Sequence, residues 1–350
     1  MSDIRQRKAD HLALCATDEV SFRGRTTLLE CVELVHDSLP ELALSDLDLH
    51  VSLFGKQLRA PLLIAAMTGG TEEAGTVNHT LAKIAERRGY AFGLGSQRAM
   101  QRAPDSAWTY DVRKHAPNVL LLGNVGVVQA REQPLSTVEK LVQDIAADAL
   151  CVHMNPAMEL IQPEGDRDFR GCLETLARLG RDLSVPVVAK ETGNGIGLRT
   201  AYRLREAGIR HVDVSGAGGT SWVGVEALRA DDTAREAREL GQRFWDWGVP
   251  TAASVVYARR AGHEVIATGG IRTGLDVARS IALGAKLAGI ARPVLQALKE
   301  EGEAGAEAYL ERVERELATV LLLTGSRTLA NLERAPRVLR GELNDWLSLT

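Results

Sequence analysis

The chain has 350 residues and a formal net charge of −4. Hydrophobic residues make up 45% of the chain and charged residues 25%, which is typical of a soluble globular protein with a large core. This composition excludes a disordered or collagen-like chain. Because there is no basic excess and no apolar run of about 20 residues, we expect no nucleic-acid partner and no membrane partner. The polar N-terminus and four cysteines without a CxxC pair predict a reducing, cytoplasmic location.

Residues 1–60 are predicted to form an arm that precedes the repeating part of the chain. The charged cluster Arg7–His11 (RKADH) has, taken alone, the ordinary interpretation of a solvated face. Residues 49–62 (LHVSLFGKQLRAPL) predict a hairpin, because two extended stretches flank Phe54-Gly55-Lys56. The hairpin would lead directly into the first strand of the repeat.

From residue 61 to about residue 300, eight short apolar runs alternate with amphipathic patterns. Each run is too short for a helix, and continuous hydrophobicity indicates a strand buried on both faces, as in a parallel sheet. The runs are Leu62–Met67, Tyr90–Gly95, Val119–Asn124, Ala149–Met154, Pro186–Lys190, His211–Ser215, Glu264–Gly270 and Lys286–Ala291. Eight such alternations predict an α/β fold, a (β/α)8 TIM barrel, with a doubly wound sheet as the alternative.

Three of the helical patterns are followed by a glycine that can cap a helix. They are Val77–Arg88 before Gly89, Leu198–Glu206 before Gly208, and Leu275–Leu283 before Gly284. Residues 301–350 are predicted to form a C-terminal helical extension. Within it, Ala304–Leu323 places Leu310, Val313, Leu317, Val320 and Leu321 on one helical face. With no linker or low-complexity segment, we predict that residues 1–350 form a single domain.

Nearly every predicted strand ends in a polar or glycine-rich turn. These turns are Thr68-Gly69-Gly70, Ser96-Gln97-Arg98, Asn124, His153 with Asn155, Lys190, Ser215 to Thr220, Gly269-Gly270, and Ala291-Arg292. Each alone could be an ordinary capping or turn residue. Since the active site of a barrel lies at the C-terminal ends of its strands, all eight together predict one ligand site.

The turns after the seventh and eighth runs carry the clearest motifs, TGGIRTG and GIARP. Barrels often bind a phosphate group with these two loops, because glycine lets backbone N–H groups approach the phosphate and a helix N-terminus follows. Arg272 and Arg292 can add positive charge. No complete GxGxxG is present, so a Rossmann-type NAD site is not supported.

Three polar residues at strand ends are candidates for catalysis: Lys190, His153 and Asn155. Lys190 ends an otherwise apolar strand and could be a Schiff-base nucleophile or could offset a negatively charged cofactor ring; the ordinary alternative is a surface lysine. His153 and Asn155 share a face at period two, although a lone histidine is often a core residue. Glu159 could bind a divalent cation, provided that substrate phosphates supply further ligands to Mg²⁺.

Taken together, these segments resemble the type II isopentenyl-diphosphate isomerases, which are FMN-dependent barrel enzymes. The similarity runs from RKADH through AAMTGG, GLGSQR, GNVG, HMNPAMELIQPEGDRDF, PVVAKETGNGIG, DVSGAGGTSW and GGIRTGLDVA to GIARP. It implies isomerisation between isopentenyl and dimethylallyl diphosphate, with reduced FMN as the acid/base group and NADPH or another reductant only to prime the flavin.

The resemblance also implies roles for individual residues. FMN would contact Ala66, Met67, Thr68, Ser96, Asn124, Lys190, Ser215, Thr220, Gly270, Ile271, Arg272, Ala291 and Arg292. The substrate would contact Arg7, Lys8, Ser96, Gln97, Arg98 and the residue at position 158, and Glu159 would bind Mg²⁺. Lys190 would stabilise an anionic reduced flavin. We also expect a homo-oligomer.

One position departs from the family pattern, in which the His-x-Asn motif is followed by Gln-Glu; this chain has Met158-Glu159. A non-catalytic protein that binds FMN and a diphosphate is therefore one alternative. Another is a different FMN barrel enzyme, such as a hydroxy-acid oxidase, although the His-Gly-x-Arg turn of those enzymes is absent. A nucleotide dehydrogenase barrel would need a reactive loop cysteine, which the sequence does not offer.

Overall fold

The structure is a computed structural model, and it describes residues 4–230 and 234–349. The chain begins with helix α1 (Ile4–Cys15) and continues through strands β1 (Val32–Leu34), β2 (Val51–Leu53) and β3 (Lys56–Leu58). Strands β2 and β3 pair antiparallel across Phe54 and Gly55, whose φ angles are 48° and 77°. Two positive φ angles give the tight turn that matches the twist of a hairpin, so the predicted hairpin is confirmed.

Eight parallel strands close into a barrel, in which every strand pairs with its neighbours in sequence and the last pairs with the first. They are β4 (Leu62–Ile64), β5 (Ala91–Gly93), β6 (Leu120–Gly126), β7 (Ala149–His153), β8 (Val187–Lys190), β9 (His211–Asp213), β10 (Glu264–Ala267) and β11 (Ala285–Ile290). The barrel prediction is confirmed. The alternative of a doubly wound sheet is wrong, because such a sheet has two open edges.

Helices connect and surround the strands. They are α2 (Glu72–Arg88), α3 (Arg98–Arg102), α4 (Val127–Arg131), α5 (Leu135–Asp144), α6 (Pro156–Ile161), α7 (Cys172–Asp182), α8 (Leu198–Glu206), α9 (Trp222–Arg229), α10 (Arg235–Arg243), α11 (Thr251–Arg260) and α12 (Gly274–Ala282). Helix α8 has the predicted bounds. Helix α2 begins five residues earlier than predicted, because the Thr71 side chain accepts a hydrogen bond from the Ala74 N–H and caps the helix there.

The C-terminal segment contains α13 (Arg292–Leu323), α14 (Leu329–Arg334), strand β12 (Arg337–Leu339) and α15 (Glu342–Leu347). Gly302, with φ 70°, breaks α13 into two helical parts, and the second part is the predicted Ala304–Leu323 helix. Of its predicted apolar face, Leu310, Val313, Leu317 and Leu321 are buried and Val320 is partly buried. Strand β12 pairs antiparallel with β1, so the two terminal segments meet, which the sequence did not indicate.

The hairpin closes one end of the barrel. Leu53 and Leu58 are almost fully buried, and they belong to the same apolar cluster as the inward-facing side chains of the barrel strands, such as Leu120 and Leu287. Because this end is filled by apolar side chains, the C-terminal ends of the strands remain as the open mouth. Among the described residues, no helix has the length and apolar character needed to cross a membrane.

Candidate functional site

The C-terminal ends of the barrel strands surround a cavity of about 1540 Å³, a volume that includes the open space at its mouth. Its lining combines apolar residues with converging charged and polar groups, as is typical of a ligand site. Helix α1 supplies part of the wall through Arg7, Lys8 and His11. The charged cluster at the N-terminus is therefore not a solvated face, because its helix turns these side chains toward the cavity.

The predicted cofactor residues all border this cavity. They are Ala66, Met67, Thr68, Ser96, Asn124, Lys190, Ser215, Thr220, Gly270, Ile271, Arg272, Ala291 and Arg292. Arg7, Lys8, Arg98, His153, Asn155, Met158 and Glu159 border it as well. The structure thus brings together residues that are up to 285 positions apart in the chain, as Arg7 and Arg292 show.

Gln97 is the exception among the predicted substrate residues. Its side chain is fully buried and does not border the cavity. Its Nε2 donates to the Leu141 carbonyl (2.9 Å) and its Oε1 accepts from the Asn124 N–H (3.0 Å). The structure therefore does not place this side chain at the cavity with the other predicted substrate residues: its amide ties the turn after β5 to strand β6 and to the Leu141 carbonyl.

The turns after β10 and β11 form a cationic pocket with closely packed glycines. Gly270 has φ 76°, and a Cβ there would lie 2.4 Å from Thr27 Cγ2. Burial and the charge of Arg272 lower the pKa of Arg292, whose nearest carboxylate, Asp18, is 3.9 Å away. Two guanidinium groups with so little compensating charge fit a bound anion, and the N-terminus of α13 follows directly. The residues present fit the phosphate of FMN.

A second cationic cluster lies on α1 and α3. Burial and the charges of Arg7 and Arg98 lower the pKa of Lys8 to about 8. The buried Nε atoms of Arg7 and Arg98 have no hydrogen-bond partner among the described residues. Three cations held this close destabilise one another, and an anionic ligand would relieve the repulsion. The cluster therefore suits a diphosphate.

Lys190 forms a buried ion pair with Asp213, a residue that the sequence analysis missed. Lys190 Nζ lies 3.0 Å from Asp213 Oδ2 and donates to the Glu191 carbonyl at 2.9 Å. Asp213 also accepts from the Ser215 N–H (3.2 Å). A signal was present, since Asp213 is an acidic residue inside a buried strand, two positions before Ser215 and so on the same face.

His153 is held neutral at the cavity wall. Its Nδ1 lies 2.8 Å from Asn124 Oδ1, and because an amide oxygen only accepts, the proton is on Nδ1. Burial lowers the pKa of His153 to about 3, and the positive charges of Lys8, Lys190 and Arg98 act in the same direction. The Nε2 atom is then an unprotonated acceptor at neutral pH.

Glu159 occupies the wall beside Asn155 and Met158. Its Oε1 accepts from Asn155 Nδ2 (3.0 Å) and its Oε2 accepts from the Asp166 N–H (2.8 Å). Each carboxylate oxygen keeps a further lone pair for a cation. In the part of the chain that is described, no three metal-ligating side chains cluster. Glu159 therefore fits only a Mg²⁺ ion that takes its other ligands from phosphate and water.

Sequence reasoning also missed the group that fastens α1 to the barrel. The fully buried Glu226 of α9 is 2.7 Å from His11 Nε2 and 2.5 Å from Arg229 Nη1. Arg229 Nε in turn lies 3.4 Å from Asp10, and the His11 ring stands edge-on to Trp222. Only the position of His11, four residues after Arg7 on one helix face, could have pointed to this contact.

Comparisons with known proteins identify the family of this chain. A family model described as FMN-dependent dehydrogenase matches residues 121–339. The chain is 45% identical to the isopentenyl-diphosphate delta-isomerase of Nostoc sp., over 95% of both chains. It is 47% identical to that of Synechococcus sp. over 97% of both chains. It is 42% identical to that of Methanothermobacter thermautotrophicus, over 99% of this chain and 96% of the relative.

Solved structures of FMN barrels share the fold. A mandelate oxidase variant with a monooxide FMN adduct superposes with a TM-score of 0.65 at 22% identity, covering 95% of both chains. A mandelate oxidase with (S)-2-phenylpropionate gives a TM-score of 0.64 at 20% identity, covering 97% of this chain and 98% of the other. At such identities the likeness concerns the fold alone.

Proposed function

The chain belongs to the isopentenyl-diphosphate delta-isomerase family and has the barrel of FMN-dependent enzymes, and we propose that it interconverts isopentenyl diphosphate and dimethylallyl diphosphate. The observation that carries this proposal is the pair of separate cationic clusters in one cavity. One cluster, Arg272 with Arg292, suits a cofactor phosphate, and the other, on α1 and α3, suits a substrate diphosphate. A barrel that bound FMN and an uncharged substrate would not need the second cluster.

Reduced FMN, when bound, supplies the acid/base group for the proton transfers at the alkene. The glycine turn at Gly270 and the two arginines would hold its phosphate. Lys190, with its ammonium at the wall, would offset negative charge on the reduced ring. The other cavity residues named above as cofactor contacts would form its walls through backbone and side-chain packing.

The substrate diphosphate would bind Arg7, Lys8 and Arg98, with Ser96 beside them. Each charge-assisted hydrogen bond of this kind contributes about 1.5–3 kcal/mol. Glu159 would hold Mg²⁺ against the diphosphate, which supplies the ligands that the protein lacks. Glu159, through such an ion, would help to orient the diphosphate together with Arg7, Lys8 and Arg98.

His153, Asn155 and Met158 would surround the reacting hydrocarbon. The neutral His153 ring adds no positive charge near the alkene, and its free Nε2 can accept a hydrogen bond. Asn155 is oriented by Glu159, and its amide nitrogen also lies 3.7 Å from Met158 Sδ. Because a thioether is apolar and flexible, Met158 can pack against the hydrocarbon but cannot donate a hydrogen bond.

NADPH or another reductant would be needed only to reduce the flavin before turnover. We further propose that the protein acts in the cytoplasm and as a homo-oligomer. These proposals have separate tests: the rate of flavin reduction by NADPH under anaerobic conditions, fractionation of cells, and sedimentation of the purified protein.

The test of the isomerase proposal is incubation of the reduced holoprotein with isopentenyl diphosphate and Mg²⁺, followed by product analysis. We expect dimethylallyl diphosphate, with no change in the flavin redox state across turnover. The matched controls are the oxidised holoprotein and a reaction with chelated Mg²⁺. A protein that holds reduced FMN and excess Mg²⁺ yet forms no product would contradict the proposal. Net oxidation of a hydroxy acid instead would favour the oxidase alternative.

A further inference from the structure

Asp213 lies behind Lys190, away from the cavity. Its side chain is 2% exposed and does not border the cavity, whereas Lys190 does. The carboxylate Oδ2 is 3.0 Å from Lys190 Nζ. Any effect of Asp213 on a bound ligand must therefore pass through the lysine or through its charge.

The other oxygen of Asp213 is held by two neighbours. The Thr268 hydroxyl donates a short hydrogen bond to Oδ1, and the Ser215 N–H donates to the same atom at 3.2 Å. Thr268 follows strand β10, while Lys190 ends β8, so three adjacent strands meet at this carboxylate. Contacts from three strands leave the carboxylate little freedom, and the carboxylate in turn restricts the lysine.

The charge balance of this wall depends on the pair. Lys190 and Asp213 together carry no net charge, and among the described residues Asp213 is the only acidic side chain within 4 Å of Lys190 Nζ. Glu191, which is also buried, interacts with both charges, and burial raises its pKa to about 7. Glu191 is present in every variant compared below, so its contribution does not distinguish them. Replacing Asp213 by a neutral residue of the same shape would leave one positive charge at the cavity wall. Such a charge favours the reduced, anionic form of a flavin over the oxidised, neutral form.

We propose that Asp213 is a positioning residue that holds the Lys190 ammonium in place and offsets its charge, so that the pair sets the reduction potential of bound FMN. This inference rests on the proposed function, since it requires FMN in the cavity. In that function only the reduced cofactor is active. Asp213 therefore determines how strong a reductant is needed to keep the enzyme active.

The test is a cycle of Asp213→Asn, Lys190→Met and the double variant, with the FMN midpoint potential measured by equilibration with a reference dye. Asp213→Asn should increase the equilibrium ratio of reduced to oxidised FMN, at a fixed ambient potential, at least tenfold. For a two-electron couple, this corresponds to a midpoint potential that is higher by about 30 mV. Lys190→Met should lower the potential. In the double variant, the side chains at positions 190 and 213 again carry no net charge. Its ratio of reduced to oxidised FMN should therefore be within about threefold of that of the natural protein, which is a difference of roughly 15 mV in midpoint potential.

Shifts in the same direction for the two single variants would overturn the inference, as would potentials that do not change. If Asp213→Asn folds but no longer binds FMN, recovery of binding in the double variant supports the inference and continued loss overturns it. The measurement contains no diphosphate, so failure of the isomerase assay leaves it unaffected.

Thermal stability of the cofactor-free variants supplies a second readout. Removing one partner of a buried ion pair is much more destabilising than replacing both. The double variant should therefore melt at a higher temperature than Lys190→Met, even if Asp213→Asn does not fold. A double variant that is less stable than Lys190→Met would show that the two side chains are not coupled as proposed.

Discussion

The lowered pKa of Lys8 predicts how catalysis depends on pH. Burial and the charges of Arg7 and Arg98 bring this pKa to about 8, from an ordinary value near 10.5. The cationic form, which binds the diphosphate, is therefore lost as the pH rises through about 8. With this pKa, about nine-tenths of Lys8 is charged at pH 7 and about one-tenth at pH 9.

The parameter to measure is kcat/KM for isopentenyl diphosphate, because it reports the ionisation of the free enzyme. We expect it to fall roughly tenfold between pH 7 and pH 9, with FMN reduced and Mg²⁺ in excess throughout. Lys8→Arg should remove this fall, since a guanidinium stays charged across the range. Its absolute activity can be lower without affecting the comparison.

The matched control is Lys140→Arg, which changes an exposed lysine that pairs with Asp144 outside the cavity. This variant should keep the pH profile of the natural protein. A tenfold fall that persists unchanged in Lys8→Arg would refute the reasoning, because the titrating group would then lie elsewhere. A natural protein with a flat profile would refute it equally.

Four further changes test the site and the fold. Arg7→Ala should raise KM roughly 10- to 100-fold while FMN absorbance is retained, because a charge-assisted contact of about 1.5–3 kcal/mol is lost; an unchanged KM would contradict the role. Gly270→Val should abolish FMN binding in a flavin titration, since a β-branched residue at φ 76° would place Cβ 2.4 Å from Thr27 Cγ2. Met158→Gln should change kcat/KM by no more than about tenfold, the value of one neutral hydrogen bond, and activity found only in this variant would contradict the isomerase proposal for the natural chain. Leu317→Ala should lower the free energy of unfolding in urea by about 2–5 kcal/mol, because the side chain is fully buried.

The barrel itself was determined by local patterns in the sequence. Each of the eight strands lies within or largely within its predicted apolar run, and Gly89 and Gly284 end their helices with φ angles of 67° and 103°. Such features depend on a few consecutive residues, because a buried parallel strand needs an unbroken apolar run and a left-handed cap needs glycine. The clustering of polar residues at strand ends followed from the same alternation.

Only the tertiary structure decided which way individual side chains point and which distant partners they meet. Gln97 occupies the turn that the sequence indicated, yet its amide faces inward to Asn124 and Leu141. His11 meets Glu226, which lies 215 positions away, and Asp213 meets Lys190 across two neighbouring strands. A one-dimensional pattern records residue type and spacing. It does not record the path of a turn or the closure of the barrel, and these place a side chain in the cavity or behind its wall.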